Sequence, residues 1–399
     1  MKKYIIIGNG AAGANAADEI RKLDPDGSIK IFTEEAYSFY YRPKLPEFLA
    51  GKIVVDNLTM PNAVNYQQRN IELHLHTKIV SIHSIGKTIQ DAKGNSYPYD
   101  ELLLSVGAVS NIPSLPGTDK KNVFALRTID DALRIKEAAK NAKKVVLIGG
   151  GLLGLEAGRG MIELGLKVEV VEFFERLLPR QMDVNGAKIL KEKLEGQGFS
   201  FHLGAKVKEV IGGTNAEGII LESGEKISGD IILFSAGIRP NLDLAKSIGL
   251  KTNKSIIVDE YMQTNIPSIF AAGDAAEFNG VPGGVWPTAM QQGTCAGKNM
   301  HGENTPYHVI PPSTKLKVVG INLVVSGNID AENKLTSAIY KNGNNYRKIV
   351  LENGVIKGFI FFGNTDGATQ CTAAMNSAKP IRASLEELQK EDFNFSTLM

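Results

Sequence analysis

Residues 1–13 read MKKYIIIGNGAAG, and this stretch decides the fold. The apolar run YIII leads directly into three glycines, Gly8, Gly10 and Gly13, at the spacing Gly-x-Gly-x-x-Gly. In a dinucleotide-binding βαβ unit the first glycine makes a tight turn, the second admits a pyrophosphate, and the third lets the helix pack closely on the strand. The phosphates lie at the helix N-terminus, where free N–H groups favour anions. Glycine-rich turns also occur for packing alone, so the motif needs a second observation.

The chain supplies that observation by repeating the pattern. A second apolar strand, predicted over 145–148, runs into Gly149, Gly151 and Gly154 at the same spacing. The strand that follows ends on Glu172, 23 positions after Gly149. A chance recurrence of strand, glycines, helix, second strand and carboxylate is improbable. The repeat therefore predicts two dinucleotide sites.

Carboxylates end the second strand of each predicted unit. These are Glu34 or Glu35 in the first unit and Glu172 in the second. A carboxylate at such a strand end binds a ribose hydroxyl in many dinucleotide sites. The alternative is a charge at a strand end that only meets solvent. The spacing favours the ribose role in both units.

The order of the segments predicts nested domains. SVGA at 105–108 and SAGI at 235–238 each follow an apolar strand, and a later strand ends in Gly273-Asp274 and returns to the first unit. The C-terminal part has short strands with glycine turns, one of them predicted over 316–325. We therefore predict an α/β fold with two nested Rossmann-like dinucleotide-binding domains and a small α+β C-terminal domain. The predicted boundaries are 1–112 with 239–310, then 113–238, then 311–399.

Composition excludes several classes of protein. The 399 residues carry a formal net charge of only +2 without a clustered basic face, which argues against nucleic-acid binding. Cys295 and Cys371 stand 76 positions apart, so a disulfide scaffold is excluded and we predict no metal site. No apolar run is long enough for a membrane span, and the N-terminal apolar run is too short for a signal peptide. We expect a cytoplasmic protein.

With these motifs the whole chain resembles the FAD-dependent pyridine nucleotide-disulfide oxidoreductases. Five motifs occur in the family's order: the two glycine motifs, the SVGA and SAGIRPN turns, and AAGD at 271–274. The resemblance implies FAD on the first unit and NAD(H) on the second, with NADPH less favoured. It also implies that Asp274 accepts a hydrogen bond from the flavin ribityl chain.

The missing cysteines indicate the branch of the family. Residues 11–20 lack the redox Cys-x-x-x-x-Cys of glutathione-reductase-like members, and residues 38–41 lack the single cysteine of NADH oxidases and coenzyme A disulfide reductases. The segment YYRP at 40–43 and the segment at Trp286 resemble those of ferredoxin and rubredoxin reductases. Glu47 departs from the ferredoxin reductases, which have lysine there. The chain is thus most similar to NADH:rubredoxin oxidoreductases and the flavoprotein part of nitrite reductases.

Motif positions and resemblance together give the candidate binding residues. For FAD they are Gly8, Gly10, Ala11, Ala12, Gly13, Glu34, Glu35, Arg42, Lys44, Ile79, Ser105, Gly107, Gly273, Asp274 and Trp286. For NAD they are Gly149, Gly151, Leu152, Leu153, Gly154, Glu156, Glu172 and Gly237. No catalytic side chain is expected beyond the flavin. Trp286 is expected at the flavin edge, and Glu156 either orients the nicotinamide or is a surface helix charge.

The predicted reaction passes a hydride from NADH to FAD and then single electrons to a small redox protein such as rubredoxin. The alternatives are the flavin reductase component of a nitrite-reducing system, an NADH oxidase, or a non-enzymatic flavoprotein that switches its association. Glu172 favours NADH because a carboxylate repels a 2′-phosphate, although Arg176 and Arg180 lie nearby. The electron acceptor, the oligomeric state and the role of Cys295 stay open.

Overall fold

The computed structural model describes residues 1–60, 66–309, 314–343 and 345–398. The chain forms two compact units. The first comprises Met1–Lys44, Val54–Val109 and Ile238–Ile310, and the second comprises Leu45–Ile53, Ser110–Gly237 and Pro311–Met399. The boundaries of three domains expected from the sequence stay a prediction.

The helices and strands follow in chain order. Those of the N-terminal part are β1 (Lys3–Ile7), α1 (Ala11–Leu23), β2 (Ser28–Phe32), α2 (Leu45–Leu49), β3 (Ile71–His74), β4 (Ile79–His83), β5 (Thr88–Asp91), β6 (Ser96–Pro98), β7 (Glu101–Leu104) and β8 (Ala108–Ser110). Those of the central part are β9 (Val123–Ala125), α3 (Ile129–Ala139), β10 (Lys144–Ile148), α4 (Leu152–Glu163), β11 (Lys167–Glu172), α5 (Val184–Glu195), β12 (Phe199–Leu203), β13 (Val207–Ile211), β14 (Gly218–Leu221), β15 (Lys226–Ser228), β16 (Ile231–Phe234) and β17 (Ile238–Pro240).

The remaining elements complete both units. Those that return to the first unit are α6 (Asp243–Ser247), β18 (Ile256–Val258), β19 (Ile269–Ala271), β20 (Ala276–Phe278), β21 (Val281–Pro282) and α7 (Trp286–His301). Those of the C-terminal part are β22 (Thr314–Val318), β23 (Ile321–Gly327), β24 (Thr336–Asn342), β25 (Asn345–Glu352), β26 (Val355–Phe362), α8 (Ala368–Ser377) and α9 (Leu385–Leu388).

The first unit is built on a parallel sheet with the strand order β19-β7-β1-β2-β3. The three central strands β19, β7 and β1 are nearly continuous apolar runs, as is typical of parallel sheets buried on both faces, whereas β2 and β3 also carry charged residues. Four of them end at Ile7, Phe32, Leu104 and Ala271. Parallel strands present their carboxyl ends at one sheet edge, where ligands of open α/β sheets bind. The segments after these four residues therefore share that edge.

The second unit repeats this sheet with the order β12-β11-β10-β16-β9, again all parallel. Each unit also carries a three-stranded antiparallel sheet, β4-β5-β6 in the first and β13-β14-β15 in the second. The second of these small sheets was not predicted, because its strands are short, with 5, 4 and 3 residues. The prediction of two Rossmann-like units is confirmed.

Helix α1 crosses α7 at very short range in the first unit. Helix α1 is rich in buried alanine, and α7 presents two glycines to it. A Cβ on Gly293 would overlap the carbonyl oxygen of Ala12, and a Cβ on Gly297 would come within 2.7 Å of the carbonyl oxygen of Ala16. Small residues on both helices let their backbones meet, and this contact fixes α7 beside the glycine motif.

The C-terminal strands form one antiparallel sheet with the order β22-β23-β26-β25-β24. The prediction of a single strand over 316–325 is wrong. The chain turns at Val319 and Gly320, whose φ angles are +50° and +84°, and β22 pairs with β23 as a hairpin. Two successive residues with positive φ make the tight turn that suits the twist of a hairpin. The sequence on both sides of this turn is largely apolar and resembles one continuous strand. Gly320 is the single glycine that indicates the turn.

Within the described ranges, the structure contains no helix that is both long and apolar enough to cross a lipid bilayer.

The helix crossing gives a stability prediction. Gly293→Ala should lower the free energy of unfolding by about 1–3 kcal/mol, because the added methyl forces α7 away from the backbone of α1. Urea unfolding followed by circular dichroism measures this. The control is Gly86→Ala in the same unit, where a Cβ would meet no atom within 4 Å and the change should stay below about 1 kcal/mol. Equal stability of the two variants would contradict the close crossing.

Candidate functional site

The first glycine motif forms a loop between β1 and α1. Gly8 has φ +109°, and a Cβ there would overlap the carbonyl oxygen of Ser105 at the end of β7. A Cβ on Gly13 would overlap the carbonyl oxygen of Gly8. At Gly10, by contrast, a Cβ would meet no described protein atom within 4 Å. Protein packing thus requires the first and third glycines, whereas the middle glycine leaves open space.

The second motif has the same geometry between β10 and α4. Gly149 has φ +113°, and a Cβ there would overlap the carbonyl oxygen of Ser235. A Cβ on Gly154 would lie 2.6 Å from the carbonyl oxygen of Gly149. A Cβ on Gly151 would meet no described atom within 4 Å. Both loops therefore keep room for a ligand backbone at the middle glycine, which fits a pyrophosphate.

The helix ends at these loops also fit an anion. Gly10 and Gly151 are the N-cap residues of α1 and α4, and neither provides a capping side chain. No acidic residue stands in the first turn of either helix. The first N–H groups of a helix lack partners within the helix and attract negative charge. The predicted residues Ala11, Ala12, Leu152 and Leu153 occupy these first turns.

Two polar side chains that the sequence did not single out meet at the first loop. Asn9, which is 9% exposed, accepts a hydrogen bond on Oδ1 from the Tyr66 hydroxyl at 2.9 Å. Burial raises the pKa of the Tyr66 phenol above its usual range, so it stays a neutral donor. Nδ2 of Asn9 has no partner among the described residues. A buried donor of this kind fits a bound polar group. In the sequence, the position of Asn9 between two glycines of the motif could have indicated this role.

Ser105 also stabilises the first glycine loop. Its hydroxyl donates to the carbonyl oxygens of Ile7 and Gly8, at 3.1 and 2.9 Å. The serine thus joins the ends of β1 and β7. Gly107, two positions further, has φ +67°. Ile79, predicted near the adenine, is buried at the start of β4.

The predicted residues after β2 form a charged cluster. Glu35 pairs with Arg42 and also accepts a hydrogen bond from the Tyr40 hydroxyl at 2.7 Å. The Arg42 guanidinium lies over the Tyr40 ring, 5.0 Å from its centroid. Glu34 is exposed and lies 3.4 Å from the ammonium of Lys78. Glu35 therefore positions Arg42, a role that sequence reasoning missed, and the ribose role of either glutamate stays a prediction.

Lys44 closes the short 3₁₀ turn that begins at Arg42, and its side chain is exposed.

The Gly273-Asp274 motif follows β19 in a short 3₁₀ helix, Gly273–Ala275. Gly273 has φ +78° and donates its N–H to Oε1 of Gln292 at 2.8 Å. Gln292 lies on α7 and is buried. The amide thus fixes the backbone next to Asp274, and this role could not be inferred from sequence because 19 positions separate the partners.

Trp286, at the start of α7, belongs to an aromatic cluster. Its ring stacks on Phe39 with centroids 5.7 Å apart and planes inclined by 6°. It meets Tyr41 edge to face at 5.0 Å. Phe39 is buried and Trp286 is half-buried. The structure therefore brings Trp286 next to the aromatic segment at 39–41 in the first unit.

In the second unit, Glu172 ends β11 beneath the glycine loop. Its side chain accepts hydrogen bonds from the N–H groups of Gly150 at 2.5 Å and Phe174 at 2.9 Å. The carboxylate is 6% exposed and holds the loop in place. Gly237, with φ +86°, follows β16 at the same edge of the sheet. The predicted NAD residues thus gather at the carboxyl ends of β10, β11 and β16.

Glu156 on α4 contacts the C-terminal sheet. Its Oε1 accepts a hydrogen bond from the N–H of Val319 at 2.6 Å. The side chain is therefore held by the β22–β23 turn, so it is more than a solvated helix charge. Its predicted role at the nicotinamide stays a prediction.

Sequence comparison identifies the family. Residues 2–293 match the pyridine nucleotide-disulphide oxidoreductases, and residues 312–379 match the rubredoxin NAD+ reductase C-terminal domain. The chain belongs to the pyridine nucleotide-disulphide oxidoreductase family. The family resemblance expected from the sequence is thus confirmed.

Several members of this family resemble the chain over most of its length. It is 36% identical over 368 residues to a nitrite reductase [NAD(P)H] of Bacillus subtilis, covering 91% of this chain but 46% of that protein. It is 31% identical to an NADH-rubredoxin oxidoreductase of Clostridium acetobutylicum, covering 94% of this chain and 95% of that protein. The crystal structure of NADH:rubredoxin oxidoreductase from Clostridium acetobutylicum matches with a TM-score of 0.82 at 30% identity, covering 96% of each chain. The chain thus spans about half the length of the first of these relatives.

The two cysteines of the chain, Cys295 and Cys371, are both buried. Sγ of Cys295 lies 3.4 Å from the carbonyl oxygen of Thr305, and burial raises the pKa of this thiol to about 11. Burial also raises the pKa of Cys371 to about 12. The thiolate is the reactive form of cysteine. Both side chains therefore act as small apolar residues.

The open space at the middle glycines gives a binding prediction. Gly10→Ala should leave the apoprotein folded but lower dinucleotide affinity in the first unit, because the methyl would occupy the pyrophosphate position. Gly151→Ala should do the same in the second unit. We expect about tenfold weaker binding in each case, measured by flavin titration and by NADH titration. Each variant controls for the other, and loss of both affinities in one variant would contradict separate sites.

Thiol burial gives a pH prediction. Because burial raises the pKa of both thiols, they stay neutral at any pH below their folded-state pKa. Reagents that react with thiolates should therefore not label the native protein between pH 7 and 9. Dithionitrobenzoate should detect no fast-reacting thiol in the native protein and two after denaturation. Rapid labelling of native protein at pH 7 would disprove burial. Cys295→Ser should retain full flavin reduction.

Proposed function

We propose that this chain is an NADH-dependent flavoprotein reductase that passes electrons to a small iron electron-transfer protein such as rubredoxin. FAD would bind the first unit and NADH the second. FAD supplies the conversion of a two-electron hydride into single electrons. The observation that carries the proposal is the combination of two dinucleotide loops with an aromatic cluster and no reactive thiol.

In the first unit the chain would hold FAD by its backbone and a few side chains. The N-terminus of α1 and the open space at Gly10 suit the pyrophosphate. Arg42 would line the flavin, since Glu35 and Tyr40 hold the guanidinium in place. Asp274, kept in position through Gly273 and Gln292, would accept a hydrogen bond from the ribityl chain.

In the second unit the chain would favour NADH over NADPH. Glu172 stands at the strand end, where a carboxylate suits a ribose hydroxyl and repels a 2′-phosphate. Gly151 and the N-terminus of α4 would take the pyrophosphate. Glu156, held by Val319, would orient the nicotinamide carboxamide.

The lack of a thiol relay argues for an outside one-electron acceptor. Cys295 is buried against backbone carbonyl groups, so it cannot exchange with a disulfide substrate. Trp286, with Phe39 and Tyr41, would line the flavin edge. An apolar aromatic edge suits docking of a small redox protein. The match of residues 312–379 to the rubredoxin reductase C-terminal domain supports this acceptor class.

A second candidate function is electron input to a nitrite-reducing system. It is favoured by the 36% identity to the Bacillus subtilis nitrite reductase [NAD(P)H], of which this chain matches about half. In that case the acceptor would be another redox centre of the same assembly. A cytoplasmic location stays a prediction, and so does the oligomeric state.

Anaerobic stopped-flow mixing tests the proposal. NADH should bleach the flavin absorbance near 450 nm at least about tenfold more efficiently than NADPH, since Glu172 disfavours the 2′-phosphate. Rubredoxin, ferredoxin, oxygen and a nitrite-reductase partner are then offered in turn. Rubredoxin should be reduced fastest, whereas a preference for the nitrite-reductase partner would support the second candidate.

The control for this experiment is Gly151→Ala. It should keep its flavin and its reduction by dithionite but need about tenfold more NADH for the same rate of flavin reduction. A purified protein that is colourless and does not take up FAD would exclude every form of the proposal.

A further inference from the structure

The loop that follows Glu172 carries Arg176, whose guanidinium already contacts other groups of the chain. Nε of Arg176 donates to the carbonyl oxygen of Met182 at 3.2 Å, and one terminal nitrogen lies 3.4 Å from the carbonyl oxygen of Pro179. The same nitrogen lies 3.0 Å from Oε1 of Glu332. Arg176 is thus folded back on its own loop and paired with a carboxylate from the C-terminal sheet region.

Glu332 is held in place by an ordered turn. Asp330 accepts hydrogen bonds from the N–H groups of Lys334 and Leu335, both at 2.8 Å. The ammonium of Lys348 donates to the carbonyl oxygen of Asp330 at 2.6 Å. These bonds fix the backbone on both sides of Glu332. The carboxylate is therefore presented to Arg176 by a rigid turn even though its side chain is 57% exposed.

The loop that carries Arg176 is anchored to the same sheet. Asp183 caps α5 by accepting from the N–H of Gly186 at 2.9 Å. It also accepts from the Tyr346 hydroxyl at 2.6 Å and lies 3.4 Å from the ammonium of Lys348. Asp183 and Lys348 are both fully buried. One buried lysine thus ties the end of the Arg176 loop and the Glu332 turn to each other.

We propose that Glu332 is a specificity-determining residue of the nucleotide site, which acts by sequestering Arg176 from a 2′-phosphate. The inference rests on the proposed function, in which Glu172 binds the adenosine ribose. Arg176 stands four positions after Glu172, on the loop that follows the strand end. A guanidinium recognises phosphate well when it is free. Paired with Glu332, it offers little net charge to NADPH.

Nucleotide choice in this chain is therefore set by two carboxylates with different roles. Glu172 repels the 2′-phosphate directly, whereas Glu332 removes the cation that would attract it. The second effect comes from the C-terminal part of the chain and not from the nucleotide-binding sheet. It is electrostatic, so it must weaken as ionic strength rises.

The test compares Glu332→Gln, Arg176→Gln and the double variant with the unchanged chain. Glu332→Gln should raise the NADPH-to-NADH ratio of kcat/KM about two- to fivefold, as expected for a partly exposed ion pair. Arg176→Gln in the Glu332→Gln background should abolish the gain. The gain should shrink between low and high salt. The kcat with saturating NADH should not change.

A binding measurement separates this inference from the proposed function. Calorimetric titration with 2′,5′-ADP and with ADP uses no flavin chemistry, and only 2′,5′-ADP should bind more tightly to Glu332→Gln. If NADH fails to reduce the flavin while this difference appears, the reductase proposal fails and the role of Glu332 stands. The matched control is Glu352→Gln, which removes a carboxylate that lies 3.3 Å from the ammonium of Lys357 in the same sheet. This variant should change the affinity for neither ligand.

A change of 2′,5′-ADP affinity in the opposite direction overturns the inference. If Glu332→Gln weakens 2′,5′-ADP binding, the pair orients Arg176 toward the phosphate. If Glu332→Gln changes nothing while thermal stability is preserved, Arg176 does not reach the ribose. If the gain persists in the double variant, it comes from a cation other than Arg176, and the inference fails. The exposed Arg180 on the same loop is such a cation.

Discussion

The structure depends on the approach of one backbone to another at the end of each central strand. Gly8 lies against the carbonyl group of Ser105, and Gly149 lies against that of Ser235, so closely that no side chain fits between them. Each approach needs a positive φ, which glycine adopts without strain. It turns the chain from the strand into a helix whose first N–H groups face the sheet edge. Without it, neither α1 nor α4 could present an anion site at the carboxyl ends of the strands.

The sequence predicted the parts of this arrangement that local chemistry encodes. The apolar strands, the spacing of the glycines and the start of α7 at Trp286 need no knowledge of distant residues, and the structure has them at nearly the expected positions. The partners of the site could not be predicted, because they are distant in sequence. Asn9 meets Tyr66 across 57 positions. The cluster of Glu35 with Arg42 shows the same limit at short range, since strand-end spacing suggests a ribose ligand and cannot reveal an ion pair.

The C-terminal sheet is the part that sequence reasoning understood least. It was expected to be a small α+β C-terminal domain, and it forms one compact unit with the second dinucleotide fold. Its contacts reach three parts of the second dinucleotide fold: Val319 bonds Glu156 on α4, Glu332 pairs with Arg176, and Tyr346 bonds Asp183. A buried ion pair such as that of Asp183 costs desolvation and is weak evidence for stability. This pair joins the N-terminus of the helix at 184–195 to β25 of the C-terminal sheet.

The same reasoning explains how a family fold built for disulfide chemistry can serve a different acceptor. A fold positions a site, and the residues at the site decide the chemistry. The flavin side of this chain has an aromatic segment where relatives of the disulfide-reducing branches have cysteine, and Cys295 is packed against backbone carbonyl groups. In the proposed function the flavin would be the last redox group on the chain, so the acceptor would come to the flavin. Under the proposed function, electron transfer would then depend on what docks beside Trp286, while the choice of donor would depend on charges held in place from the C-terminal sheet.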